Sequence, residues 1–184
     1  MGKIFITSDL HFCHDKEFLY GPRNFNNIDE MNYIVFTLYN KIISPEDEVY
    51  ILGDLMLNDN KEGLRLIKQL NGLIHVAIGN HDTDSRIELY KTCSNIVDIQ
   101  WAYRLKYKGY RFFLTHYPTL CGNWDDGQTL REKIINLCGH VHTQDPFYHW
   151  DAGAIFHCEL DTNACFPWHL DNIIYKMEER YKNG

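Results

Sequence analysis

Residues 75–84 read HVAIGNHDTD: an apolar run, Val76-Ala77-Ile78, closes on Gly79, and an amide, an imidazole and a carboxylate follow as Asn80, His81 and Asp82. Alone, the stretch reads equally well as an ordinary turn. It does not stand alone. The run KIFIT (3–7) is followed by Ser8-Asp9-Leu10-His11, and EVYIL (48–52) by Gly53-Asp54. YRFFLT (110–115) leads into His116, and IINLC (134–138) into Gly139-His140-Val141-His142. Each apolar run thus delivers metal-binding side chains where its backbone emerges. Imidazole and carboxylate donors suit borderline divalent ions such as Mn, Fe, Zn or Ni, rather than Ca or Mg. The donors are too many for one tetrahedral ion and enough for two ions that share a carboxylate.

The elements that must position these groups follow from periodicity. The near-continuous apolar character of the five runs predicts central strands covered on both faces. From Ile99 to Tyr107, apolar Ile99, Trp101, Tyr103, Leu105 and Tyr107 alternate with Gln100, Ala102, Arg104 and Lys106. That pattern predicts one half-exposed strand, with Lys108-Gly109 as a hairpin turn. Met31, Ile34, Val35, Leu38 and Ile42 recur at helical spacing after an Asn27/Glu30 pair that resembles a capping box. Further helices are expected over about Lys61–Leu70 and Ser85–Lys91, and a last short one around Leu170–Met177. Strand and helix alternate in the front half, and strands dominate the back. The expected class is α/β, with a mixed sheet or two packed sheets and helices outside. Ligands in such folds collect beyond the carboxyl ends of strands, where the polar groups stand.

At 184 residues, 45% of them hydrophobic, the chain suits one domain spanning 1–184 with its own core. A net charge of -7 gives no support to a broad nucleic-acid-binding surface. Arg104, Lys106, Lys108 and Arg111 form a local basic stretch, most simply a solvated strand face. The six cysteines form no CxxC pair and sit largely in apolar runs, so buried free thiols and a reducing cytoplasmic setting are expected. Neither a signal peptide nor a membrane-spanning run is evident.

The ordered set DxH (Asp9, His11), GD (Asp54), GNHD (Asn80 to Asp82), H (His116) and GHxH (His140, His142) resembles the calcineurin-like metallophosphoesterase superfamily. The stretches SDLHFCH, GPRNF, THYP and VHT are similar to a small bacterial and phage-type subgroup of it. The resemblance implies two mixed sheets packed as a sandwich and flanked by helices, the four-layer fold of that superfamily. It implies that Asp9, His11 and His142 hold one divalent ion, that Asn80, His116 and His140 hold the other, and that Asp54 bridges them. Manganese is the expected metal, with Fe, Zn or Ni as alternatives. Hydrolysis of a small phosphodiester or phosphomonoester by a bridging hydroxide would follow, with His81 assisting the leaving group and Asp82 orienting its turn. The rival expectation is a scaffold of the same fold without turnover.

Weaker candidates stand at the rim. His14 follows the DxH motif, and Arg23 in GPRNF could meet a substrate phosphate, although a surface salt bridge is its simpler role. Many relatives carry an aspartate where this chain has Leu57, which leaves Asp59 as the nearest substitute to support His81. Phe12 replaces a common glycine and could narrow the entrance. Leu160–Asn163 resembles the subgroup's final strand, with Asn163 at the rim. His75, His149, His157 and His169 are expected to be structural or superficial.

Overall fold

Alternation along the early strands sorts side chains into two cores. In the computed structural model, which describes residues 2–123 and 127–183, Phe5 and Ile6 are successive residues of β1 (Ile4–Thr7) and face opposite ways. Phe5 joins the layer formed with α2 (Ile28–Ile42), while Ile6 enters the space between two sheets. β2 (Glu48–Ile51) repeats the division: Val49 and Ile51 face the helices, and Tyr50 faces the other sheet. This two-sided burial explains why the runs read as continuously apolar.

Between β1 and α2 lies a single-turn helix α1 (Glu17–Tyr20). After β2 come α3 (Asn60–Ile67), β3 (Leu73–Ala77), α4 (Asp84–Tyr90) and β4 (Ile96–Gln100). β5 (Ala102–Tyr107), β6 (Tyr110–Thr115) and β7 (Ile134–Cys138) follow, then α5 (Trp150–Gly153), β8 (Ile155–His157), β9 (Trp168–His169) and α6 (Leu170–Asn183). The first sheet has the order β4-β3-β2-β1-β9, parallel except for β9 against β1. The second has the order β5-β6-β7-β8, with β5 antiparallel to β6 and the rest parallel. The architecture is α/β: two mixed sheets packed face to face and flanked by helices.

Val35 and Tyr39 of α2, Leu66 of α3 and Tyr90 of α4 cover one face of the first sheet. Its other face meets Phe112, Leu114, Ile135 and Leu137 across the sandwich, with Ile173 and Met177 of α6 joining the same core. Each fully buried aliphatic side chain here contributes about 1.5–3 kcal/mol relative to exposure. The Asn27 cap forms as expected, its side chain accepting from Glu30 N at 2.9 Å, while Glu30 reaches back to Asn26 N at 2.7 Å.

Three expectations need correction. The stretch 99–107 is not one strand: β4 belongs to the first sheet and β5 to the second, and the chain changes sheets at Trp101, which is 72% exposed. The alternation runs unbroken through that corner, so periodicity could not reveal it. Leu160–Asn163 is a 3-10 turn, and the final strand is Trp168–His169. The last helix is 14 residues long.

Candidate metal centre

β1, β2, β3, β6 and β7 present their carboxyl ends on one side of the sandwich, and the loops that leave them are conformationally unusual. Asp9, His11, Asp54, His140 and His142 all have positive φ, between 50 and 79°. Non-glycine residues rarely adopt this region, and each instance costs roughly 1–3 kcal/mol unless its surroundings impose it. Here they do. Asp9 N donates to Gly53 O at 3.1 Å and His11 N to Asp54 O at 2.9 Å. Gly53 itself has φ +91°, and a Cβ there would lie 2.7 Å from both Gly79 Cα and His116 Nδ1. Only glycine lets these loops close in this way.

Two groups of donor atoms result. Asp9 Oδ1 lies 3.5 Å from His11 Nε2 and 3.6 Å from His142 Nε2, and the two imidazole nitrogens are 3.1 Å apart. In the second group, Asn80 Oδ1 is 2.8 Å from His116 Nε2 and 2.9 Å from His140 Nδ1. His116 Nδ1 bonds the Leu52 carbonyl at 2.8 Å; donating that proton leaves the Nε2 lone pair facing its neighbours. Asp54 stands between the groups. Its Oδ2 is 3.6 Å from His11 Nε2 and 3.6 Å from His116 Nε2.

This donor set fits divalent cations. Asp9 Oδ1 is buried without any hydrogen-bond partner, a costly state for a carboxylate oxygen that a cation would relieve. Two carboxylates, Asp9 and Asp54, share the interior with three converging imidazoles. Burial pushes the Asp54 carboxyl up to about 7; His116 opposes that shift and the Asp9 charge adds to it. Asp9 moves the other way, because the neighbouring His11, His142 and His116 together outweigh its burial. Burial lowers His11 to about 4, so its imidazole is neutral at pH 7, as a ligand must be.

Behind the first group lies a buried ion pair. Arg23 donates from Nε to Asp161 Oδ1 at 3.1 Å and from Nη2 to Asp161 Oδ2 at 2.7 Å, and Nη2 also donates to the Asp9 carbonyl at 2.9 Å. Asp161 Oδ2 in turn lies 3.3 Å from His142 Nδ1. Burial would raise the Asp161 carboxyl, but His142 and Arg23 hold it down at about 2. Arg23 is therefore neither a surface salt bridge nor a substrate contact: it is 7% exposed, and its guanidinium faces inward. His14 is also buried, its Nδ1 3.2 Å from His11 Nδ1, which places it beside a candidate ligand rather than in open solvent.

His81 has a half-open side chain, 41% exposed, with Nε2 4.0 Å from Asp54 Oδ2. Its backbone is pinned from both sides, N donating to Asp54 Oδ1 at 2.9 Å and O accepting from Arg86 Nη1 at 2.6 Å. Burial, with the Arg86 charge, keeps its pKa below the usual 6.5. Asp82 orients its turn, as expected from the sequence. It is 4% exposed, and its carboxylate accepts from Asp54 N at 2.8 Å, Gly79 N at 2.9 Å and Tyr90 Oη at 2.8 Å. It fixes the two loops that carry Asp54 and Asn80.

Asp59 does not support His81. It caps α3, accepting from Lys61 N and Glu62 N at 3.0 Å. Phe12 is fully buried and narrows no entrance, and Asn163 bonds Phe166 O at 2.9 Å instead of lining the rim. Sequence reasoning missed Asp161 and also Glu159, which accepts from Val141 N at 3.2 Å and bonds buried His157 Nδ1 at 2.9 Å. Neither belongs to a spacing pattern. Both come from the 3-10 turn and the residue before it, which fold back on the site.

Comparison with known proteins identifies the family. The family model described as calcineurin-like phosphoesterase matches residues 2–152. The uncharacterized protein MJ1445 of Methanocaldococcus jannaschii is 34% identical over 144 residues, covering 77% of this chain and 70% of that protein. The crystal structure of the protein of unknown function AQ665 from Aquifex aeolicus superposes with a TM-score of 0.72 at 24% identity, covering 95% of this chain and 99% of that one. YfcE, a phosphoesterase from E. coli, gives a TM-score of 0.46 at 17% identity, covering 85% and 78%. The chain belongs to the calcineurin-like phosphoesterase family.

Proposed function

We propose that this protein is a dinuclear metal-dependent phosphoesterase, acting on small phosphodiesters in preference to monoesters. The observation that carries the reading is the position of Asp54 Oδ2, equidistant at 3.6 Å from His11 Nε2 and His116 Nε2, one from each group of donors. Asp9, His11 and His142 would hold one ion, and Asn80, His116 and His140 the other, with Asp54 shared. Manganese is the leading candidate, with Fe, Zn or Ni compatible with the same donors. When bound, such a pair supplies Lewis acidity toward a phosphoryl group and a water ionised near neutral pH.

The chain's own contribution is placement. His81 is held by its backbone so that its imidazole faces the donors while remaining open to solvent. From there it donates a hydrogen bond or proton to the oxygen that leaves. Asp82 and the Arg23–Asp161 pair keep the loops in their strained form through binding and release. The free cysteines support a reducing, cytoplasmic setting. Among the described residues, no helix is long and apolar enough to cross a membrane.

The test is hydrolysis of bis-p-nitrophenyl phosphate by metal-stripped protein, with and without Mn²⁺. Turnover that appears only with metal supports the reading. Two bound ions without turnover of this diester or of p-nitrophenyl phosphate would instead favour a scaffold.

A further inference from the structure

We propose that the centre recognises a phosphodiester whose retained group, the one that does not leave, carries a planar aromatic ring, with Phe18 and Tyr117 as the rings that bind it. This inference rests on the phosphoesterase reading above and names its substrate class.

Two exposed aromatic side chains border the donor groups. Phe18, in α1, is 69% exposed; its ring stands 5.9 Å from that of His14, which is 5.8 Å from the ring of His81. Tyr117 is 43% exposed, with its ring 5.0 Å from His116 and 4.8 Å from His140. Phe18 therefore approaches from the side of His11, His14 and His81, and Tyr117 from the side of the Asn80 group. All three contacts are edge-to-face, at interplanar angles between 65 and 88°, so the rings are oriented while much of their surface stays open.

Two of the cations around the centre are already engaged, and exposed Lys16 acts on the His14 side alone. Arg23 is buried against Asp161, and Arg86 is bound to the His81 carbonyl and to Asn60 Oδ1 at 3.1 Å. Arg104, Lys106 and Arg111 line a separate groove of about 670 Å³ on the second sheet, together with Leu120 and Ile134. Arg111 lies five residues before His116 along an extended strand, on the order of 17 Å away. A polymer needs a track of cations for its successive phosphates. This centre instead offers ring faces beside a single phosphoryl position. Stacking tolerates any planar ring, and removing one aromatic platform typically costs tenfold or more in binding.

The experiment compares three diesters that share one leaving group, using Mn²⁺-loaded protein: thymidine 5′-p-nitrophenyl phosphate, bis-p-nitrophenyl phosphate and methyl p-nitrophenyl phosphate. The expected kcat/KM for the two diesters whose retained group is also aromatic exceeds that of the methyl ester by about tenfold. Phe18→Ala and Tyr117→Ala each narrow that ratio. A nucleoside ester above the bis-aryl ester assigns a nucleoside, and the reverse assigns a simple aryl group. Equal values for all three esters, or a ratio that neither variant narrows, overturns the inference. Calorimetric affinity for thymidine 5′-phosphate against methyl phosphate separates recognition from turnover. Tighter binding of the former without hydrolysis of any diester keeps the recognition and removes the catalysis, while equal affinities remove the recognition.

Discussion

The two halves of the centre are built differently. The Asp9–His11–His142 half contains a buried carboxylate, and the guanidinium of Arg23 and the carboxylate of Asp161 stand directly behind it. The Asn80–His116–His140 half uses only neutral donors; Asn80 and His140 are exposed, and the partner behind it is the Leu52 carbonyl. Charge and enclosure both strengthen a cation site, because fewer ligand motions and less water compete with the ion. The first half should therefore hold its ion tightly and the second should exchange. A phosphoryl group approaching from solvent would meet the open half first.

The sharpest way to break this contrast is to remove what the halves share. Asp54→Ala should lose both ions together in elemental analysis, and turnover should fall by at least about 10³-fold. Loss of one ion only would show that Asp54 belongs to a single half. His81→Ala should keep both ions yet lose about 10²–10⁴-fold in turnover. An unchanged rate would remove His81 from the chemistry. Asp161→Asn should weaken metal affinity about 10–100-fold in the first half alone, leaving the second at its parental value in a chelator titration. Equal weakening of both would mean that the ion pair only supports the fold.

The smallest effect concerns acid stability. The Asp161 carboxyl is held at about 2, below its ordinary 3.8, so its stabilising contribution is present above pH 4 and is lost as pH falls toward 2. The contribution is about 2 kcal/mol. The metal-free parent should lose denaturation free energy over that window, and Asp161→Asn should show a shallower loss.

The same contrast marks what the sequence makes legible. Candidate ligands of both halves lie at strand ends, where an apolar run and a polar stop are both visible in one line of residues. Even the two-sheet class followed from that pattern and the family resemblance. The support behind the first half was not legible. Arg23 and Asp161 are separated by 138 positions, and neither occupies a periodic place. Arg23 read as a surface side chain because burial of an arginine depends on a partner that only the fold supplies. A turn-orienting role for Asp82 was legible from its place beside His81, but its partners were not. Adjacent residues in a turn face different ways, and its carboxylate points to Asp54 N and Gly79 N. The sheet change at Trp101 was hidden for a similar reason, since a corner need not disturb a period of two.

The most direct test of the account is Mn²⁺ binding to metal-stripped protein by calorimetry, compared with Asp161→Asn. Two ions per chain are expected, bound in two resolved steps, with only the tighter step weakened by the substitution. A single ion, or two steps that weaken together, would contradict a shared centre with unequal halves.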